Sequence, residues 1–454
     1  MSFSSKFSKL QVTRREWLRL SAAGVLGASM SGWLERLAAD TAGHPERKRA
    51  CILLWMNGGP SQIDTFDMKP GHANGGPIKE IATTVPGMRF SQHFPKLAKL
   101  AKHLAIIRSM STKEGDHSLA TYYMRTGYRA QGPVQYPPIG ATLSKELGNP
   151  SAALPNYVSI APVTFISPAA FTPGFLGPEH APLIVGNQGF GFGNTPDYNQ
   201  VDRILKVEDL QPPGDVKREQ ADSRIELLTG LQNDFVAKHP GVPALSHQSA
   251  YERAVRLMRT AASKAFDLKE EPQKLRDRYG RNLFGQGCLL ARRLVERGVP
   301  FIEVTLSSAP GAPNNWDTHQ QNFDQVPKLC EVLDPAWATL LEDLEQRGLL
   351  ETTMVVWMGE FGRTPQITPQ AGRDHFPNAW STVLCGGGVK GGTVYGKTSP
   401  DGMTVKEQPV TVPNFLATVA RAVGIDPTKQ NMSNVGRPIR IADAGSKPIE
   451  EVLS

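Results

Sequence analysis

The stretch MGEFGRTPQITPQAGRDHFPNAW, residues 358 to 380, sets Glu360, Arg363, Arg373, Asp374 and His375 between two apolar runs. Carboxylates, imidazoles and guanidiniums are the groups that hold metal ions, move protons and clamp anions. Three other stretches repeat the pattern. NGGPSQIDTFDMKP brings Asn57, Ser61, Asp64, Asp67 and Lys69. STKEGDHSLATYYMRTGYR brings Glu114, Asp116, His117, Ser118 and Arg125, and NNWDTHQQNFD brings Asp317 and His319. Each alone is the composition of an ordinary hydrogen-bonded turn. Four together, three of them with a histidine, point to one shared polar site able to take a divalent ion such as Zn, Ca, Mg or Mn.

Each of these stretches follows a continuous apolar run. ACILLWMNGG, LAIIRSM (104–110), NYVSIAP (156–162), PFIEVTL (300–306), TMVVWMGE (353–360) and STVLCGGG (381–388) read as buried strands breaking into loops. Helical patterns fall between them, at roughly 94–102, 117–126, 250–268, 286–298, 322–347 and 412–424. This alternation predicts an α/β fold, a doubly wound and mainly parallel sheet flanked by helices. In such sheets ligands bind at the carboxyl ends of the strands, which is where the polar loops lie.

The main domain is expected over 48–454, with a Pro/Gly-rich insertion at about 163–200 and a charged helical insertion at about 215–280. His180 in the first insertion stays open as a site residue. His44, His72, His93, His103, His239 and His247 read as structural.

The formal charge of +7 includes six basic and three acidic side chains in the first 42 residues. What remains is modestly basic, and no Lys/Arg run is interleaved with aromatics, which argues against a nucleic-acid partner. Cys51, Cys288, Cys330 and Cys385 are scattered, without metal-finger spacing, and are expected as buried thiols. There is no GxSxG, Walker A, HExxH or GxGxxG motif. The Gly-rich CGGGVKGG with Lys390 lacks phosphate-loop spacing and reads as a turn.

Residues 13–40, TRREWLRLSAAGVLGASMSGWLERLAAD, have a positive opening and a short, weakly apolar middle, the layout of a secretory signal. Thr13-Arg14-Arg15-Glu16-Trp17-Leu18-Arg19 resembles a twin-arginine export signal, which implies the twin-arginine machinery as partner and a periplasmic or otherwise exported protein. Residues 1–42 are assigned to that signal. Small residues at Ala38, Ala39 and Ala42 form no clean cleavage motif, so a cleaved signal and a retained anchor both stay open; no stable transmembrane span is expected after processing.

LLWMNGGPSQIDTFDMKP, TPGFLGPEHAP, WDTHQQNFDQ, GEFGRTP and GRDHFP together resemble the bacterial family called "domain of unknown function 1501", from about residue 48 to the C-terminus. That family is placed with the alkaline phosphatase and sulfatase superfamily. HSLATYYMRTGYR is similar to the sulfatase stretch that starts at the nucleophile, and VTVPNFLATVARAVGID resembles the superfamily's C-terminal helix. The resemblance implies a metal site in which Asn57 stands where the superfamily has an aspartate. Asp317 and His319 resemble its Asp/His pair at shorter spacing, and His375 its late histidine. Glu360 stands for an aspartate, and Phe361 replaces a histidine. The nucleophile slot holds His117, or Ser118, and the Cys-x-Pro-x-Arg of sulfatases is absent. A two-zinc centre is therefore not expected; one ion held by some of Asn57, Asp64, Asp317, His319, Glu360, Asp374 and His375 is.

Two functions follow as expectations. One is an exported metal-dependent hydrolase of phosphate or sulfate esters, on a small-molecule or polysaccharide substrate. There Ser118 or His117 would attack, or His117 act as base, and Arg363 or Arg373 clamp the oxyanion. The other is a degenerate superfamily member that binds a ligand or partner without turnover. A purely structural protein would leave the strand-end residues unexplained.

Overall fold

In the computed structural model, Ala50–Met56 forms strand β1 near the middle of an eight-stranded sheet. The structure describes residues 49–186, 200–207, 210, 214–239, 241–259 and 261–454, so the signal segment 1–42 lies outside the described residues, as does 187–199 of the first insertion. The remaining strands are β2 (Leu104–Met110), β3 (Tyr157–Ile160), β4 (Leu183–Val185), β5 (Phe301–Leu306), β6 (Thr353–Met358), β7 (Trp380–Gly386) and β8 (Thr393–Tyr395). Their spatial order is β8-β2-β7-β6-β1-β5-β3-β4.

β1 is parallel to both β5 and β6, and β5 to β3, as expected for strands joined through helices. β7 runs antiparallel to β6 and β2. The reason lies in the connection: residues 359–379, between β6 and β7, contain no helix, so the chain returns beside β6 without a crossover. This reversal matters for the site, because it brings the segment before β7 to the edge where β1, β2, β5 and β6 end.

Every residue of β1 is buried, and its side chains alternate between two cores. Ile52, Leu54 and Met56 meet Leu289, Leu294, Leu333 and Trp337, from α5 (Leu283–Glu296) and α6 (Asn322–Gln346). Cys51, Leu53 and Trp55 meet Met124, Leu143, Phe415 and Val419 on the other face. Those come from α1 (His117–Thr126), α2 (Ile139–Leu147) and α7 (Val412–Ala422). All four cysteines are buried and free.

Several sequence expectations shift in detail. The helix expected at 94–102 is a 3-10 helix, Leu97–His103, which begins where the buried Asp334 carboxylate accepts the N–H groups of Lys96 and Leu97 at 3.0 and 2.9 Å. The helix expected at 250–268 is α4 (Val242–Arg259), followed by a separate 3-10 turn, Ala261–Phe266. α3 (Arg218–Lys238) precedes α4.

Candidate metal centre

α1 starts at His117 because Asp116 caps it, its carboxylate accepting the Leu119 N–H at 3.0 Å; Gly127 ends it in the left-handed conformation at φ 75°. The first helical residue therefore stands at the sheet edge, beside the loops after β1, β5 and β6.

Asp317 is the hub. Its Oδ1 lies 3.3 Å from His117 Nε2, 3.0 Å from His319 Nε2 and 3.2 Å from His375 Nε2. The guanidinium of Arg363 donates to the same oxygen. The other nitrogen of each ring is also held. His117 Nδ1 is 2.7 Å from Glu360 Oε1, His319 Nδ1 is 2.7 Å from Asp374 Oδ1, and His375 Nδ1 is 2.8 Å from the Gly115 carbonyl.

An Nδ1 facing an oxygen acceptor carries its proton, so whenever a ring is neutral its Nε2, 3.0 to 3.3 Å from Asp317 Oδ1, holds the lone pair that could bind an ion. This is the way proteins orient histidine ligands, with an outer oxygen fixing tautomer and ring angle. His319 Nε2 and His375 Nε2 lie 3.0 Å apart, a repulsive arrangement unless a proton or a cation sits between them. His117 Nε2 is buried, and its contact with Asp317 Oδ1, at 3.3 Å, is too poorly aligned to be a good hydrogen bond. Among the described residues, His117, Asp317 and His375 are the group whose ligand atoms lie within 4.8 Å of one another. The donor set of imidazole nitrogens and one carboxylate oxygen fits a divalent ion, with His319 as a fourth arm on the exposed side.

Backbone geometry closes the inner wall. Gly58 (φ 107°) donates its N–H to Glu360 Oε1 at 2.8 Å, and its carbonyl accepts from Arg363. A Cβ at Gly58 would lie 2.2 Å from Asn315 Oδ1, so only glycine fits. A Cβ at Gly372 would lie 1.8 Å from the His319 carbonyl, so the loop carrying Asp374 can approach His319 only through glycine. Phe361 packs its ring 4.9 Å from that of His117 and 4.7 Å from that of His375, forming an apolar side to the cluster.

The expected site residues separate into two sets. His117, Asp317, His319, Glu360, Asp374 and His375 come together as described. Asp64 does not: it is fully buried and tied to Arg373 at 2.7 Å and to Asn322 at 2.9 Å. Asn57 accepts the Trp316 N–H through its carbonyl, while its side-chain amide nitrogen is buried without a partner. Ser118 is half-buried and lines a cleft of about 370 Å³ with Tyr122, Gln131, Gln135, Tyr136 and Ser167.

Arg363 and Arg373, expected to clamp an oxyanion, are both 0% exposed. Arg363 donates to Asp317 and to the carbonyls of Gly58, Gly59 and Arg373. Arg373 donates to Asp64 and to the carbonyls of Asn74, Thr364 and Pro365. Their donors are committed to protein oxygens, so they brace the loops. The contacts that sequence reasoning missed are the Gly115 carbonyl and the Gly58 N–H, main-chain groups that leave no mark in residue type.

Burial pushes the His117 pKa down, but Asp317 and Glu360 outweigh it and raise it to about 9. Asp317, against its own burial, is held well below the carboxylate range by His117, His375 and Arg363. A histidine raised in the folded state stabilises the metal-free protein fully below its ordinary 6.5, and that contribution is lost as pH rises through about 9. The melting temperature of chelator-treated protein should therefore fall between those two pH values, and His117→Gln should flatten that part of the profile.

The model of one protein family, "Protein of unknown function (DUF1501)", matches residues 48–453. Among curated proteins, none matches the chain. A sulfatase, PsFucS1, from Pseudoalteromonas sp. is 14% identical with a TM-score of 0.35, over 87% of this chain and 71% of that one. A protein in the alkaline phosphatase superfamily from Vibrio parahaemolyticus is 10% identical with a TM-score of 0.35, over 84% and 67%. A phosphonate monoester hydrolase of Agrobacterium radiobacter is 12% identical with a TM-score of 0.34, over 89% and 77%. Likeness at this level assigns no activity to the chain.

Proposed function

The chain belongs to the DUF1501 family, and for a member with this geometry we propose a metal-dependent hydrolase of phosphate or sulfate esters, exported through the twin-arginine pathway. The observation that supports it is the convergence of three imidazole Nε2 atoms on Asp317 Oδ1, each ring fixed from behind by an oxygen. His117, His375 and Asp317, with His319, would hold a divalent ion. When bound, such an ion supplies Lewis-acid polarisation of an ester oxygen.

The chain's own groups take the remaining parts. Both ring nitrogens of His117 face carboxylates, so it serves as a ligand rather than as a base. Ser118, next to His117 in the first turn of α1, is the hydroxyl that would attack the ester's phosphorus or sulfur, its proton passing to solvent and the ester alcohol leaving, or that would orient a water to do so. His319 is 45% exposed on its side chain and Asp374 59%, so the centre opens to solvent on their side. Export of an already folded protein suits a centre assembled from four separate loops. No helix among the described residues is long and apolar enough to cross a membrane.

The second reading, binding without turnover, is favoured by the burial of Arg363 and Arg373, whose donors are taken up by protein oxygens rather than offered to an anion. Turnover of aryl phosphate and aryl sulfate esters by metal-loaded protein separates the two. The hydrolase reading expects a rate abolished by chelation, restored by the ion and lowered at least tenfold in Ser118→Ala. A metal-loaded protein that binds phosphate or sulfate but turns over neither ester supports the second reading.

A further inference from the structure

Helix α3 (Arg218–Lys238) is apolar on two sides and buries no residue of its own. One side lies on α4, where Asp222 accepts from Arg259 at 2.9 Å and Asn233 from Gln248 at 2.6 Å; Ile225 and Val236 are half-buried. On the opposite side Leu227, Leu231 and Phe235 are 66%, 60% and 55% exposed. A surface helix needs one apolar stripe, and a second stripe at four-residue spacing is a face that something covers.

The sequence along that outer face specifies what fits. Arg224, Leu227, Leu231, Asp234 and Lys238 recur at alternating three- and four-residue steps, the seam of an antiparallel or parallel helix pair. If two copies lie antiparallel with Leu227 of each against Leu231 of the other, Arg224 of each copy falls opposite Asp234 of the other. Gln220 then meets Lys238. One two-fold axis thus pairs the leucines and the opposite charges in the same register. A parallel pairing in register would set Arg224 on Arg224 and Asp234 on Asp234. We infer that the outer face of α3 is a self-association surface, through which two copies of this chain pair antiparallel about an axis near Thr229.

The test is the mass of the folded protein in solution by light scattering, at tens of micromolar. Wild type is expected near twice the chain mass of 49.5 kDa. Leu231→Asp, at an exposed position, should give the monomer with unchanged helix content. Arg224→Asp and Asp234→Arg should each weaken the dimer at least tenfold by setting like charges opposite, and the double variant should restore it. A monomeric wild type, a dimer indifferent to Leu231→Asp, or single charge variants that the double does not rescue would overturn the proposal.

Discussion

Asp317→Ala should abolish any binding of a divalent ion and destabilise the fold at once. Three histidines converge on its Oδ1, and the guanidinium of Arg363, fully buried, donates to it. Deleting the carboxylate leaves Arg363 charged and buried with backbone carbonyls alone, and breaking a buried pair on one side costs about 3–5 kcal/mol. Metal affinity should fall by more than about 100-fold, since loss of an outer partner alone typically costs 10–100-fold. Asp374→Asn makes the comparison: it leaves the hub intact and disturbs only the exposed partner of His319. It should weaken metal binding by about tenfold with little change in stability. Thermal unfolding and metal titration on both variants read these two effects separately.

The second large effect lies inside the sheet. Glu303, fully buried in β5, accepts from Arg125 through both carboxylate oxygens, and from Tyr157 and Thr305 at 3.3 Å each. Arg125 belongs to α1, two turns beyond His117, and its guanidinium lies 4.6 Å from the Trp55 ring and 4.1 Å from the Phe171 ring. The pair pins to the sheet centre the helix that delivers His117. Glu303→Leu leaves Arg125 unpaired at 1% exposure and should cost about 3–5 kcal/mol by denaturant unfolding. Arg125→Met combined with Glu303→Leu should recover most of that loss, because no buried charge is then left alone. A double variant as unstable as the single would show that Arg125 acts through packing on Trp55 and Phe171 instead.

Much of the fold was legible because its strands are apolar runs broken by Gly- and Asn-containing turns. His117–Thr126 coincides with the expected helix, marked by Asp116 before it and Gly127 after it. The direction of β7 was harder to read. The polar stretch before it, residues 359–379, looks like any other strand-end loop, and only the absence of a helical pattern there tells that the chain turns straight back.

The polar strand ends were legible as a group but not in their parts. Residue type does not distinguish Asp317, which gathers three rings, from Asp64, which is tied to Arg373. Both arginines read as clamps because guanidinium beside a polar loop suggests an anion. Burial decided otherwise, through main-chain carbonyls that sequence does not show. Phe361 read as a lost ligand, whereas in the fold its ring packs against two of the three histidines.

The central claim is a single metal centre built on Asp317, and the most direct measurement is metal content by mass spectrometry. The protein would be purified without chelator or affinity metal, beside a His117→Ala/His375→Ala variant. The account predicts about one equivalent of a divalent metal per chain in the wild type and next to none in the folded variant. A folded wild type that holds no divalent metal, even after incubation with zinc or manganese, would contradict it.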